Sequence, residues 1–319
     1  MDPRTPPFDL RLLRYFVTVA EEMHFGRAAV RLAMTQPPLS QAIRGLEEAL
    51  GVALFVRTKR SVELTPVGKD LLPEVRRLLA SADALRPLAQ SLARGEAGVL
   101  SLAFVSTADY GLLPALLHAF GARHPGVRLQ LTEATSDVQI EELVAGRIDA
   151  GLVIPPLPAR HAGALSYLPV AREPLVVAMP AATARELGQG EPEWADTGVE
   201  LTALAGAPLI VFPRRLAPGL YDSIMGCYGA AGLTPRIGQE AIQMQTIVSL
   251  VSAGMGVALV PRSLRHLRRT GVVYRPLRAP EDPAMLVETG LVWRAAEVSP
   301  VLAGFIDIVR SRAQGAGSV

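Results

Sequence analysis

The sequence predicts an α/β protein in three parts: an all-α N-terminal segment closed by a short hairpin, one long helix, and a larger region of alternating strands and helices. Three patterns carry that prediction. Apolar residues recur at helical spacing through the first 50 positions, an apolar run at alternating four- and three-residue steps occupies 71–92, and beyond residue 98 short apolar runs alternate with helical ones in the rhythm of a parallel sheet. The 319 residues are enough for two or three domains, and 50% hydrophobic content is that of a folded chain with a sizeable core. Charge is uneven: 14 Lys and Arg stand against 10 Asp and Glu up to residue 95 and 18 against 20 after it, and the two lysines, Lys59 and Lys69, lie in the basic part. So small an excess hardly favours a nucleic-acid partner by itself.

The first helix is predicted over 9–23, where Leu10, Leu13, Phe16, Val17 and Ala20 share a face. "HFG" interrupts it, and Gly26 is expected to cap a second, short helix that buries Ala28, Ala29, Leu32 and Ala33. A third helix has Leu39, Ile43, Leu46 and Leu50 on its buried side and ends at Gly51. Its start is marked by Pro37 and Pro38. The first N–H groups of a helix have no intrahelical partner, so proline sacrifices no bond there, and the residue before a proline avoids the α region. The helix therefore begins at Pro37 or within one residue of it, and "AMTQ" is the tight turn before it. The prolines also remove N–H groups that Thr35 or Gln36 would otherwise cap, which frees both side chains.

On the side opposite the buried one stand Gln36, Ser40, Gln41 and Arg44. These groups read base edges: Gln pairs with adenine, Arg with guanine, Ser with either. Glu47 and Glu48 would repel phosphates, so only the N-terminal half of the helix suits a DNA groove. "LFVRTKRSVEL" then forms a wing, with Phe55, Val62 and Leu64 alternating around a basic tip at Arg57, Thr58, Lys59 and Arg60 suited to phosphate contact. From "LRLLRYFVTVAEEMHFGRAAV" through "TQPPLSQAIRGLEEALG" to "SVELTPVG", residues 9–68 resemble the winged helix-turn-helix of LysR-type transcriptional regulators. The resemblance implies that Thr35, Gln36, Pro37, Ser40, Gln41 and Arg44 lie on the groove face of double-stranded DNA, with Arg31, Arg57, Thr58 and Lys59 towards phosphates.

Thr65 and Pro66 supply an N-cap and a first-turn proline for a helix of roughly 29 residues, about 44 Å at 1.5 Å per residue. Leu71, Val75, Leu78, Ala82, Leu85, Ala89 and Leu92 make an a/d seam along it. A seam with no intrachain partner implies a second chain, and the resemblance implies that this helix dimerises. Pro73 and Pro87 predict a kink or break at one of them.

The C-terminal region has strands expected at 100–105, 128–134 and 150–154, with further candidates at 173–180, 208–213, 256–261, 272–277 and 288–294. In open α/β sheets, ligands sit beyond the carboxyl ends of strands, beside helix N-termini. Two such ends carry hydroxyls, Ser106 with Thr107 and Thr135 with Ser136, each pair just before a helical run. Each hydroxyl is either an N-cap or part of a pair converging on an anion. The pattern resembles the LysR-type effector domain, in which two α/β lobes of periplasmic-binding-protein form enclose a small molecule. "FVSTADYGLLP", "PGLYD", "EAIQMQTIVSLVSAGMGVALVP" and "GVVYRPL" are similar to the aromatic-catabolism branch, whose effectors are often muconates or benzoates. That likeness implies effector contacts at Ser106, Thr107, Thr135 and Ser136. After "DAGLV" these relatives often carry arginine. Here Ile154 stands instead, and the cation that could substitute is Arg214, beside Pro213 in "VFPRR".

The expectation is a winged helix-turn-helix at 1–65, a linker helix at 66–95 and an effector domain at 96–319, one lobe from 96–168 with 272–319 and the other from 169–271. Such a chain is a cytoplasmic regulator, a homodimer or homotetramer on a partly palindromic promoter site, working with RNA polymerase on a catabolic operon in response to its effector. No cofactor is expected, because the five histidines show no metal-ligand spacing, no G-x-S-x-G occurs, and "GMGVAL" and "VGKD" each lack a glycine of their nucleotide-binding patterns. The single cysteine, Cys227, forbids an intrachain disulfide and suits a reducing compartment. No signal pattern opens the chain and its longest apolar stretch, 247–260, is too short to cross a membrane. The alternatives are a two-lobed solute-binding protein or enzyme of the same sensor fold, or a regulator of another family.

Overall fold

The computed structural model describes residues 9–58, 61–161, 163–190, 195–196, 198–278 and 286–316. The chain divides into two compact units, Met1–Gln90 and Ser91–Val319.

In the first unit, α1 (Leu10–Glu22) starts at Asp9, whose Oδ1 accepts from Leu12 N at 2.9 Å. The cap of α2 (Phe25–Arg31) is not Gly26. His24 Nδ1 accepts from Gly26 N and Arg27 N at 3.0 and 3.2 Å, so the imidazole satisfies two orphan donors that a glycine has no side chain to meet. Helix α3 (Gln36–Leu50) follows Thr35, whose side chain makes no capping bond, and ends on Gly51 at φ 72°. The wing pairs β1 (Phe55–Arg57) antiparallel with β2 (Val62–Leu64). Phe16, Val19, Ala28, Leu39, Ile43, Leu46 and Leu54 form the fully buried core, each large side chain stabilising the unit by roughly 1.5–3 kcal/mol.

Helix α4 (Pro66–Ala93) opens with Thr65 Oγ1 accepting from Gly68 N at 2.9 Å. The expected break does not occur: Pro73 and Pro87 both lie inside one unbroken helix. Both are exposed, so the carbonyls of Lys69 and Asp83, which lose their i+4 donors, face solvent. The seam does not act as one stripe either. Leu71 and Val75 pack with Leu72 and Leu79 on the core of the first unit, whereas Leu78, Leu85, Leu88 and Leu92 are exposed. Ion pairs from Arg14 to Asp83 and from Arg76 to Glu21 (2.9 Å) tie α1 to α4.

The second unit holds β3 (Ala97–Phe104), α5 (Leu112–Arg123), β4 (Gly126–Glu133), α6 (Ser136–Val144), β5 (Ala150–Val153), β6 (Leu165–Pro180), α7 (Ala181–Glu186), β7 (Leu209–Val211) and α8 (Pro218–Ala230). After these come β8 (Ile237–Glu240), α9 (Met244–Ser252), β9 (Ala258–Pro261), β10 (Val272–Pro276), β11 (Leu286–Arg294) and α10 (Pro300–Ala316). Strand β3 pairs in parallel with β4 and β5, but β11 runs antiparallel to both β5 and β6, so the sheet is mixed and not the parallel one expected. Strand β6 is longer than the expected 173–180. Its residues 165–174 pair with β11, and 175–180 pair with β9 and β10 on opposite edges. Ile210 N donates to Val257 O at 2.8 Å, which attaches the parallel pair β7–β8 beside β9. One strand therefore serves two lobes. The missed pieces lack strand patterning: Pro169 interrupts 165–172, and all of β8 is exposed.

Gly68 is required by contact and not by φ: a Cβ there would lie 2.3 Å from Leu54 O and 3.0 Å from Leu64 Cδ2. Gly45 on α3 has open space around it. Gly68→Ala is expected to lower stability by about 1–3 kcal/mol through overpacking, whereas Gly45→Ala should raise it by roughly 0.5–1 kcal/mol through helix propensity. Thermal unfolding of the two variants checks the contrast, and shifts of the same sign would contradict it.

Candidate functional site

Two surfaces qualify, one in each unit. On α3 the buried side is occupied by Leu39, Ile43 and Leu46, which turns Gln36, Gln41 and Arg44 outward and leaves Ser40 partly covered. Thr35 and Pro37 are exposed at its start. These residues share the N-terminal half of one helix, as the sequence suggests.

The basic residues around them behave differently. Arg57 is turned inward: its Nη2 lies 2.6 Å from Glu47 Oε2, its Nη1 donates to Ser40 Oγ at 3.4 Å, and its Cζ sits 4.9 Å from the Phe25 ring centroid. With side chains only 24% and 14% exposed, this pair is a structural clamp and not a free phosphate contact. The other oxygen of Glu47 accepts from Leu54 N and Phe55 N at 2.9 and 3.1 Å. Glu47 thus anchors the wing to α3, a role hidden by its place seven or more residues from its partners. Arg31 bonds Glu21 and Glu22 at 2.8 and 3.3 Å, and the hydrogen bond to Glu21 holds its guanidinium above the ordinary arginine range. Thr58 closes the wing turn, its Oγ1 accepting from Ser61 N at 2.9 Å. Lys59 and Arg60 lie outside the described residues.

In the second unit a cleft of about 310 Å³ opens at the carboxyl ends of β3, β4, β5 and β7. Val105, Ser106 and Thr107 enter from β3, Glu133 to Ser136 from β4, and Ile154 from β5. The opposite lobe supplies Phe212 after β7, Leu216, Ala217 and Leu220 at the start of α8, and Ile242 with Gln243 before α9. Backbone pairing sets these ends in register: Val105 N donates to Leu152 O at 3.1 Å and Ala134 N to Phe104 O at 3.0 Å. The buried Gln139 braces the β4–α6 turn by donating from Nε2 to Ala134 O at 2.8 Å. Gly219 stands close to the end of β5: a Cβ there would meet Pro155 O at 1.9 Å.

The hydroxyls are not helix caps. Thr135 occupies the N-cap position of α6 without a side-chain capping bond, and Ser136 Oγ accepts instead from Ile154 N at 3.1 Å. Thr107 is 5% exposed, and its Oγ1 is buried with no hydrogen-bond partner. A small polar recess adjoins the cleft, lined by Ser106, Asp109, Tyr110, Glu133, Gln243 and Gln245. There burial pushes the Tyr110 hydroxyl up, a hydrogen bond with Gln245 pulls it down, and the Asp109 and Glu133 carboxylates raise it again.

Pro213 and Arg214 do not line the cleft. Arg214 forms an exposed two-point pair with Asp222 at 2.8 and 3.2 Å, away from the residues that line the cleft. Sequence reasoning overlooked Glu133 and Gln243. Glu133 directly precedes the Ala134–Thr135 strand end, so position next to a strand end was its available signal, whereas Gln243 follows a strand without strand patterning and carries no such signal. Among the described residues, no group of three or more His, Cys, Asp or Glu could hold a metal, and no helix is long and apolar enough to cross a membrane.

Family models match both units: "Bacterial regulatory helix-turn-helix protein, lysR family" over residues 10–69 and "LysR substrate binding domain" over 93–314. The HTH-type transcriptional regulator IlvR of Caulobacter vibrioides is 51% identical over 302 residues, covering 94% of this chain and 97% of the relative. AlsR of Bacillus subtilis is 38% identical over 300 residues, with 94% and 95% covered. Among solved structures, full-length CbnR in complex with its target DNA shares a TM-score of 0.74 at 30% identity, covering 96% of this chain and all of that one. Full-length BenM gives 0.58 at 31% identity, with 98% and 99% covered. A solute-binding protein or enzyme would leave the match at 10–69 without a role. Carrying a helix-turn-helix unit and an effector-binding unit in one chain, this protein belongs to the LysR family of DNA-binding transcriptional regulators and is not an enzyme.

Proposed function

We propose that this regulator binds a partly palindromic promoter site through Gln36, Ser40, Gln41 and Arg44, and responds to a small carboxylate with an apolar body held in the cleft of its second unit. The observation that carries the effector half is the set of uncommitted hydroxyls at two strand ends, above all Thr107 Oγ1, buried without a partner on the cleft wall. A buried hydroxyl left unpaired is costly, and a bound anion relieves that cost. Ser106 and Thr135 complete the polar end, while Ile154, Phe212, Leu220 and Ile242 offer the apolar wall. With no arginine, lysine or histidine among the lining residues, one carboxylate suits the cleft better than two, which favours an aromatic acid over a muconate-like diacid. The stretches similar to the aromatic-catabolism branch, "FVSTADYGLLP" and "GVVYRPL" among them, support a catabolic operon as the target. The same reading includes a cytoplasmic homodimer or homotetramer joined through α4 and acting with RNA polymerase at the promoter. The exposed Leu78, Leu85 and Leu92, seven residues apart, support that joint.

Three outcomes are expected. Arg44→Ala should cost about 1–3 kcal/mol at one base step and relax specificity there, whereas Arg57→Ala should act mainly by lowering the melting temperature of the first unit. Operator titrations with single-base variants and thermal unfolding separate the two, and a purely non-specific loss for Arg44→Ala would remove its base-reading role. Ser106→Ala combined with Thr135→Ala should abolish the response to a small carboxylate effector in a promoter assay while leaving operator binding intact; an unchanged dose response would sink the cleft assignment. Leu85→Asp, at a position 64% exposed, should shift the protein towards monomer in sedimentation experiments. An unaltered assembly state would exclude that face of α4 as the joint.

A further inference from the structure

We infer that the effector carries a protonated amine beside its carboxylate, as an apolar α-amino acid does, and that Glu133 is the residue selecting for it; this rests on the reading of the cleft as the effector site. Glu133 is the one charged residue among those lining the cleft, and the adjoining recess adds Asp109. No ion pair engages either carboxylate among the described residues. No arginine, lysine or histidine lines the cleft, and residues 91–319 contain no lysine. Both carboxylates are exposed at the cleft, where an ammonium group gains an attraction that a carboxylate alone does not. A zwitterion meets both ends of the site.

The anionic end has its own receptor. Ser106 and Thr107 line the cleft at the end of β3, and Thr107 Oγ1 makes no hydrogen bond to the protein. Thr135 adds a hydroxyl not engaged in capping, and the first N–H groups of the nine-residue α6 begin directly after it. Glu133 and Thr135 stand two positions apart where the chain leaves β4, so they are separated by about 7 Å of backbone at roughly 3.3 Å per residue. Both line the cleft, at a spacing suited to the ammonium and carboxylate of one small molecule. Phe212, Leu220 and Ile242 from the other lobe then face its apolar side chain.

The test uses the full-length protein, with L-leucine and L-phenylalanine each compared with its deaminated acid, 4-methylpentanoate and 3-phenylpropanoate. Thermal shift and calorimetric titration are expected to show the amino acids raising the melting temperature and binding at least about tenfold more tightly than the acids, a difference of roughly 1.4 kcal/mol. Glu133→Gln keeps the shape, removes the charge and should close that gap. Glu186→Gln, which removes a carboxylate that does not line the cleft, should not. The amine is overturned if the deaminated acids bind as well as the amino acids, if neither amino acid binds, or if the preference survives in Glu133→Gln. Benzoate and cis,cis-muconate are titrated in parallel. Binding of either that is lost in Ser106→Ala with Thr135→Ala leaves the cleft standing while the amine falls. Binding of any of these compounds undiminished in that double variant overturns the cleft itself.

Discussion

Strand β6 must satisfy two sets of partners along sixteen consecutive residues, and the geometry of the second unit depends on that demand. Every buried backbone N–H and C=O needs a partner. Residues 165–174 find theirs on β11, and 175–180 find theirs on β9 and β10. Each lobe is therefore built outward from the same strand, and the carboxyl ends of β3, β4 and β5 are brought to face those of the other lobe across one cleft. The need for glycine at 219 follows from this arrangement: α8 starts so near the end of β5 that a Cβ there would collide with Pro155 O.

Charge has a comparable organising role in the first unit, though in the opposite sense to its count. Glu47 binds two backbone N–H groups with one oxygen and the Arg57 guanidinium with the other, joining α3 to the wing at the point where the chain must turn from helix to hairpin. A partly buried carboxylate satisfied in this way is stabilising, whereas the same carboxylate unpaired would be costly. Arg57 is thereby committed to the fold. Arg31 is held by two glutamates and Arg214 by one aspartate, so of the cations flagged for ligand contact, Arg44 is the described one without a salt bridge.

The cleft shows the converse, polar groups that the fold leaves uncommitted. Thr135 sits where an N-cap would be and does not cap, and Thr107 is buried without a partner. Secondary structure alone gives hydroxyls at these positions a local use. Their lack of one is what distinguishes a binding wall from a helix start, and it becomes visible only once hydrogen bonds are followed atom by atom.

What the sequence determined by itself was whatever depends on neighbours within a turn or a strand. The four apolar residues of α3 set its buried side and hence its polar face, and Pro37 with Pro38 marked where it begins, because helical periodicity and proline stereochemistry are local properties. Family likeness then extended the reading to the whole chain. Tertiary structure alone decided the rest. His24 replaced Gly26 as a cap because a side-chain rotamer reached two N–H groups; Pro73 and Pro87 stayed in the helix on its exposed side, where the carbonyls of Lys69 and Asp83 can do without their i+4 donors; Leu71 and Val75 left the seam because a core lay beside them. The fate of each arginine and the acidity of the cleft belong to the same class. Pairing energies depend on distance in space, and Glu47 and Arg57 are ten residues apart, while the residues that line the cleft are drawn from Val105 to Gln243, intervals that no local pattern encodes.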